Sequence, residues 1–200
     1  MRQDFTRLNF GWWGYWAPGG WGPTGIQADM YEYGTSRAAG WDCPITVQTR
    51  MDNFKIHPRT ADIFEVIRRW EDVRARKWLT AEQKLMLREL GQEHHLLINE
   101  KGEYEIVPIA MAAVPDETTL RAFVFERNGE AWAAYWHPTG EGTLKLNIPA
   151  AALMDELNTG ETVLDAVDGA VTLPACKRRY IRTKLTAAEL AAAFAGAVVE

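Results

Sequence analysis

The sequence of 200 residues predicts an α+β fold whose two halves follow different patterns. In the first half, segments with helical spacing of apolar residues alternate with short strand-like segments, which is typical of parallel strands joined by helical crossovers. From Gly91 onward, apolar and polar residues alternate with a period of two, and Asn-Gly and Asp-Gly pairs mark hairpin turns. We therefore expect a boundary near residue 92, with residues 1–92 forming βα units and residues 93–200 forming an antiparallel β-sandwich with a carboxyl-terminal helix.

Residues 10–23 hold four of the nine tryptophans, interleaved with glycine and proline. We expect a short strand over residues 6–10 and a loop for the aromatic residues that follow, because glycine and proline interrupt regular structure. Flat rings with polar edges suit stacking on the apolar faces of sugars, while tyrosine O–H and indole N–H groups supply hydrogen bonds. Packing over a hydrophobic core is the alternative role. The residues expected to contact such a ligand are Trp12, Trp13, Tyr15, Trp16 and Trp21.

Three helices are expected in the first half. Residues 24–27, Thr-Gly-Ile-Gln, have the form of a capping box and predict a helix that ends near Ala39. A short strand over residues 43–48 follows, and His57-Pro58 begins the second helix, since proline is tolerated in a first turn. Residues 80–83, Thr-Ala-Glu-Gln, form another capping box and predict the third helix. The second helix carries an apolar stripe of Ile63, Val66, Ile67, Trp70 and Val73.

The second half predicts eight short strands and a final helix. Asn128-Gly129 and Asp168-Gly169 are two-residue hairpin signals, and Thr186 begins a third capping box ahead of an alanine-rich helix. The expected strands cover residues 95–98, 103–107, 121–127, 130–137, 143–148, 162–167, 170–173 and 179–183.

The composition restricts the classes of partner. The formal net charge is −5 and no long Lys/Arg cluster is present, so nucleic acid is not expected as a partner. No apolar run approaches the length of a membrane span, and the first residues lack the apolar core of a secretory signal, so we expect a soluble protein whose location stays undecided. Cys43 and Cys176 lie far apart, and the adjacent His94 and His95 would face opposite ways on a strand, so no metal site and no cofactor are expected.

Four segments together resemble the carboxyl-terminal part of a bacterial glycoside hydrolase of the (β/α)8-barrel type, in which a β-sandwich often follows the barrel. Residues 30–42 look like the helix before the last barrel strand, and residues 63–78 look like the final barrel helix. Residues 129–137 and 157–161 look like parts of the trailing sandwich. The resemblance implies a partial (β/α) barrel-like amino-terminal part, since a whole barrel takes about 250 residues.

The resemblance also indicates which acidic residues could be catalytic. In such barrels the working face is the carboxyl end of the strands with the loops that follow. Asp29 and Glu32 lie near that face, three residues apart on a helix, and glycoside cleavage needs two carboxyl groups. They are therefore the candidate catalytic residues, although acidic residues in a first turn also favour the helix dipole. His57 lies on the same side and is a candidate for substrate contact or a helix cap.

These observations predict a carbohydrate-active, glycoside hydrolase-like protein that lacks part of the catalytic barrel. The alternatives are a non-catalytic carbohydrate-binding module and a structural or assembly domain. We expect the isolated chain to be inactive, and we expect either homo-oligomerisation or an upstream segment to cover the unpaired strands of the partial barrel. The sugar, its linkage and the stereochemical outcome are not predicted by the sequence.

Overall fold

A small parallel sheet and four helices form the first part of the protein in the computed structural model, which describes residues 9–200. Its two strands are β1 (Trp12–Gly14) and β2 (Thr46–Gln48), and they pair in parallel. The helices are α1 (Ala28–Gly40), α2 (Met51–Ile56), α3 (Thr60–Ala75) and α4 (Ala81–Met86). The α+β class is confirmed, and the parallel pairing fits the alternation of strands and helices along this part of the chain.

The first strand begins later than the sequence predicts. Of the expected strand over residues 6–10, residues 6–8 lie outside the described residues, and Asn9 and Phe10 precede β1. The expectation of a loop was wrong for Trp12–Gly14, which pair with Thr46–Gln48. Backbone bonds from Phe10 N–H to the Pro44 carbonyl (2.8 Å) and from Tyr15 N–H to the Gln48 carbonyl (3.0 Å) extend this pairing at both ends.

The predicted capping box at Thr24 was wrong. Helix α1 begins at Ala28, and its N-cap is Gln27, whose side chain makes no capping bond. The Gln27 amide instead donates to the Thr24 carbonyl at 2.7 Å. Gly25 has a φ of +67°, a conformation that an α-helix does not contain, and the next amide, that of Ile26, donates to the Trp16 carbonyl at 2.9 Å. The helix therefore starts only after the chain has passed the point where Ile26 bonds to Trp16.

The capping box at Thr80 is confirmed. The Gln83 amide donates to Thr80 Oγ1 at 3.1 Å, and the Thr80 amide donates to the Gln83 side chain at 2.9 Å. The second predicted helix is present as α3, which begins at Thr60 rather than at His57-Pro58. Helix α2 was not predicted. Of the expected stripe on α3, the fully buried members are Ile63, Val66, Trp70 and Val73, while Ile67 is half-buried.

An ion-pair cluster on α3 makes stability depend on pH. Hydrogen bonds from Arg68 and from the buried Arg69 lower the pKa of Glu65 from an ordinary 4.5 to about 2, although burial opposes the shift. A carboxyl whose pKa is depressed in the folded state stabilises that state above its unfolded pKa, and loses this effect as the pH falls through the folded value.

Glu65→Gln is therefore expected to lower the free energy of unfolding by about 1–2 kcal/mol at neutral pH, allowing for the partial exposure of Glu65. The difference between variant and wild type is expected to shrink below pH 4.5 and to be nearly gone near pH 2. Urea unfolding across this pH range measures it, with Glu82→Gln as the control, since Glu82 is an exposed carboxylate in the first turn of α4. A difference that does not change with pH would contradict the assignment.

The second part of the protein is an antiparallel β-sandwich with one short helix. A seven-stranded sheet has the order β3-β4-β5-β6-β11-β8-β9, and a three-stranded sheet has the order β10-β7-β12. The strands are β3 (Glu93–Ile98), β4 (Tyr104–Met111), β5 (Arg121–Arg127), β6 (Glu130–Trp136), β7 (Gly142–Leu146), β8 (Ala150–Met154), β9 (Thr162–Asp165), β10 (Val171–Ala175), β11 (Arg179–Thr183) and β12 (Val198–Val199). The helix α5 (Ala187–Ala195) lies between β11 and β12 in the chain.

The core of the sandwich lies between the faces of the two sheets and α5. Its members are fully or almost fully buried side chains that alternate along the strands. The larger ones include Val124, Tyr135, Leu144, Leu146, Leu173, Ile181, Leu190 and Phe194. The capping box at Thr186 and the hairpin turn at Asn128-Gly129 are confirmed. Asp168-Gly169 form a tight turn with positive φ at both residues and one bridge, Val167 to Ala170, but the expected hairpin was wrong, because β9 and β10 belong to different sheets.

By their contacts the described residues separate into two compact units, with the division between Leu96 and Leu97. Within residues 9–200, no helix combines the length and the apolar character needed to cross a membrane.

Candidate functional site

One face of the small parallel sheet carries tryptophans. Trp12, Gly14 and Trp16 alternate along the chain, so their side chains point to the same side. The ring of Trp16 confirms this direction, because its Nε1 lies 2.5 Å from the position that a Cβ on Gly14 would take. Only glycine leaves space for the indole there. The register places Thr46 beside Trp12 and Gln48 beside Gly14, and partners in a parallel ladder face the same side.

This face is open to solvent in the first unit. Trp12 is 75% exposed, Trp16 is 41% exposed, and both Thr46 and Gln48 are exposed. Trp21, which is 63% exposed, belongs to the tight turn after Ala17, where the Gly20 amide donates to the Ala17 carbonyl at 2.9 Å. Gly20 itself lies against the Trp16 side chain. We call Trp12, Trp16, Trp21, Thr46 and Gln48 the tryptophan surface.

The opposite face of β1 points into the core of the unit. Trp13 is half-buried, and its ring covers Gly34 of α1 so closely that a Cβ there would lie 2.6 Å from it. Tyr15 is fully buried; its ring lies 6.0 Å from that of Tyr31, and its hydroxyl bonds with Thr60 Oγ1 at 2.7 Å. Burial raises the pKa of Tyr15, although the Thr60 bond opposes this. The structure therefore separates Trp13 and Tyr15 from the three exposed tryptophans.

His57 lies inside the fold, 3% exposed, between α2 and α3. Its Nδ1 accepts a bond from the Arg59 amide at 3.0 Å, so the proton is on Nε2, which donates to the Ile26 carbonyl at 2.7 Å. Burial lowers the pKa of the ring, which favours this neutral form. Both ring nitrogens therefore bond to backbone groups and hold the chain in place before α3. This is the helix-cap role that the sequence indicates as the alternative to substrate contact.

The two candidate catalytic carboxylates lie in α1 but in different surroundings. Glu32 is buried and accepts three hydrogen bonds: from Trp70 Nε1 (3.1 Å), from His95 Nδ1 (2.6 Å) and from the Leu96 amide (3.1 Å). Asp29 is half-buried in the first turn. The sequence gives no sign of these partners of Glu32, since they lie 38 to 64 residues away along the chain.

A third carboxylate stands close to this pair. Burial raises the pKa of Glu93, and the negative charges of Asp29 and Glu32 raise it further, while the Arg37 guanidinium lowers it. Arg37 is itself buried and donates to the carbonyls of the segment before β3. The cluster thus joins α1 to the start of β3, and it lies within the first unit rather than on the tryptophan surface.

Metal binding has no evident site in the described part of the chain, where no group of three or more His, Cys, Asp or Glu side chains is arranged to hold an ion. Cys43 is a buried free thiol and Cys176 is a half-buried one.

Comparison with known proteins gives no match to any family model and no match among curated proteins. Three solved structures with similarity are α-amylase-type glycoside hydrolases. An Anoxybacillus α-amylase, whose structure is said to provide insights into a new glycosyl hydrolase subclass, has a TM-score of 0.30 and 12% identity, and the match covers 77% of this chain. AmyP with maltotriose gives 0.29 and 14% over 78% of this chain, and AmyP with maltose gives 0.29 and 13% over 76%. The matches cover 33%, 35% and 34% of those three chains, so this chain spans about a third of their length.

Proposed function

We propose that this chain is a carbohydrate-active, glycoside hydrolase-like protein that binds sugar on its tryptophan surface. The observation that carries the proposal is the exposure of Trp12, Trp16 and Trp21 within one short segment, beside the polar side chains of Thr46 and Gln48. Indole rings offer flat apolar faces to the C–H groups of a pyranose, and hydroxyl and amide side chains bond with its hydroxyl groups.

Burial of large aromatic side chains is the common outcome in a folded protein, and several tryptophans of this chain follow it. Trp70, Trp132 and Trp136 are almost fully buried. A cluster of three exposed tryptophans is the kind of surface patch that marks a binding site. Gly14 supports this assignment, because it leaves room for the Trp16 indole beside the strand.

For glycosidic bond cleavage, we propose that this chain is one part of an enzyme rather than a complete enzyme. Cleavage needs one protonated and one ionised carboxyl group on either side of the scissile bond. Glu32 is engaged by Trp70, His95 and the Leu96 amide, and Asp29 is half-buried beside it. We infer that turnover requires carboxylates supplied from beyond this chain. The engagement of Glu32 also favours the second candidate function, a non-catalytic carbohydrate-binding module.

Titration with maltose and maltotriose, the sugars present in the two AmyP structures, tests the proposal directly. Trp12→Ala and Trp16→Ala are each expected to weaken binding about tenfold or more, because each removes an exposed ring that stacks on the ligand. Calorimetry measures the affinity. Trp78→Ala is the matched control, since Trp78 is a similarly exposed tryptophan outside the tryptophan surface.

Equal affinities in Trp12→Ala, Trp16→Ala and wild type would reject the tryptophan surface as the sugar site. Incubation of the wild-type chain with a panel of aryl glycosides distinguishes the two candidates. Binding without turnover is expected of the isolated chain, and turnover that depends on Asp29 would place the catalytic machinery within these 200 residues.

A further inference from the structure

His57 connects the segment before α3 to the part of the chain that carries Trp16. The His57 Nε2–H group donates to the Ile26 carbonyl at 2.7 Å, and the Ile26 amide donates to the Trp16 carbonyl at 2.9 Å. Gly25 passes so close to Trp16 that a Cβ at residue 25 would lie 2.5 Å from the Trp16 carbonyl oxygen. Residues 25 and 26 therefore fix the backbone of Trp16, and His57 fixes Ile26 in turn.

The backbone is supported differently on the two sides of Trp16. Before Trp16, the Tyr15 carbonyl accepts from Thr49 Oγ1 at 2.6 Å and from Asn53 Nδ2 at 3.1 Å. After Trp16, the hydrogen bonds of the turn over residues 17–22 join members of that turn to each other. Loss of the bond at the Trp16 carbonyl is therefore expected to loosen Trp16 and this turn, while β1 stays paired with β2.

Neutral His57 makes two bonds that a protonated ring cannot make together. Nδ1 accepts from the Arg59 amide at 3.0 Å, while Nε2 donates to Ile26. An imidazolium has two N–H donors and no acceptor, so protonation would set the new Nδ1–H group against the Arg59 N–H group. The ring is 3% exposed, so solvent hardly reaches it. Protonation therefore requires the ring to move, and this movement breaks its contact with Ile26.

The charges around the ring also oppose protonation. Burial lowers the pKa of His57, and the positive charge of Arg59 lowers it further, although the bond to Ile26 opposes the shift. Tyr15 contacts the ring with centroids 5.5 Å apart, and its phenol is uncharged because burial raises its pKa above the ordinary 10. The other charged groups of the neighbouring helices are Asp52 and Lys55 on α2, which are exposed and pair with each other, and Asp62 in the first turn of α3.

The tryptophan surface has no charged group of its own. Residues 9–28 contain no Asp, Glu, Lys, Arg or His, and the two members from β2 are Thr46 and Gln48. Maltotriose, the sugar of one AmyP structure, is uncharged as well. Because nothing at the contact itself titrates between about pH 4 and pH 8, any pH dependence in that range has to come from groups beneath the surface.

We propose that His57 is a positioning residue that makes sugar binding depend on pH: its neutral ring holds Ile26, and through Ile26 the backbone of Trp16, so that protonation loosens one side of the tryptophan surface. This role rests on the proposed sugar binding. His57 does not touch the ligand, and it acts only through the two backbone hydrogen bonds that Ile26 makes.

Sugar binding is therefore expected to weaken at acidic pH. Because the pKa of His57 in the folded protein lies below the ordinary 6.5, the ring is neutral at pH 7 and the surface is fully formed. As the pH falls through the folded value, the ring takes up one proton and Trp16 loosens. For one linked proton, the affinity decreases by at most about tenfold for each pH unit below that value.

Two titrations of the full chain between about pH 7.5 and pH 4.5 test this role. NMR of the ring protons gives the pKa of His57 in the absence of sugar, and calorimetry gives the affinity for maltotriose. The affinity is expected to decrease at least about threefold, with a midpoint at the pKa of His57. The amide signal of Ile26 and the indole N–H signal of Trp16 are expected to shift with the same midpoint before any sugar is added.

His57→Gln separates this role from a purely structural one. Glutamine keeps an N–H donor for the Ile26 carbonyl but takes up no proton, so its affinity for maltotriose is expected not to change with pH. His137→Gln is the matched control, because His137 is another buried histidine whose Nδ1 accepts backbone amides, those of Thr139 and Gly140. This control is expected to keep the pH dependence of the wild type.

Failure of this role and failure of the proposed function give different results. Absence of sugar binding at pH 7.5 rejects the proposed function, and the signals of Ile26 and Trp16 still decide whether protonation of His57 loosens Trp16. An affinity that does not change across the pKa of His57 overturns the role, as does a His57→Gln variant with the pH dependence of the wild type. A His57 ring that stays neutral wherever circular dichroism shows a folded chain overturns it as well.

Discussion

Replacement of Glu32 by alanine is expected to lower the free energy of unfolding by about 3–5 kcal/mol, as the loss of one partner from a buried ionic cluster does. The carboxylate accepts bonds from Trp70, His95 and the Leu96 amide, and each of these groups is buried. Alanine leaves three donors without an acceptor in a site that water does not reach. Urea unfolding followed by helical circular dichroism measures the loss, since four of the five helices within residues 9–200 lie in the first unit.

This experiment also separates two roles of Glu32. A residue that acts only on substrate is expected to lose turnover while keeping its stability, whereas a structural acceptor is expected to lose stability. Asp29→Ala is the matched control, because Asp29 lies one turn away on the same helix but is only half-buried. We expect a clearly smaller loss for Asp29→Ala. If the unfolding midpoint of Glu32→Ala equalled that of the wild type, the structural role of Glu32 would be rejected.

The strands of the sandwich could be predicted because their signals are local. Asn128-Gly129 and Asp168-Gly169 adopt positive φ; the first closes the hairpin of β5 and β6, and the second makes the tight turn from β9 in one sheet to β10 in the other. Strand β8 was missed because its sequence, Ala-Ala-Ala-Leu-Met, has low intrinsic strand propensity. It is a strand because β11 and β9 pair with it on both sides, which is tertiary information.

The tryptophan surface could be predicted only in part. The sequence shows that the rings are concentrated in one segment, but it does not show on which face each of the five aromatic residues lies. The pairing of β1 with β2 separates them. Two glycines leave space for the rings on either face, Gly14 for Trp16 and Gly34 for Trp13. Thr46 and Gln48 join the surface only through the register with β2, more than 30 residues away.

Glu32 shows the same limit for a carboxylate. An acidic residue near the start of a helix has three roles that the sequence does not distinguish, namely catalysis, favourable interaction with the helix dipole, and bonding to distant groups. The third appears only when Trp70 and His95 are brought to it by the packing of α1 against α3 and by the position of β3.

Replacement of Trp70 by alanine is expected to have an effect of similar size, about 3–5 kcal/mol, because it empties a large volume in the core of the first unit. Trp70 is fully buried in the apolar stripe of α3, and its indole N–H donates to Glu32.

Trp70→Phe separates the two contributions. Phenylalanine keeps most of the apolar contact but lacks the N–H, so we expect about 1–2 kcal/mol for this change. The same urea unfolding experiment, run on Glu32→Ala, Trp70→Phe and the double variant, forms a double-mutant cycle. Because the two side chains share a hydrogen bond of 3.1 Å, their effects are expected to be non-additive. Additive losses would mean that the hydrogen bond between Trp70 and Glu32 does not contribute to stability. A Trp70→Ala variant as stable as the wild type would mean that the buried indole does not stabilise the packing of α3.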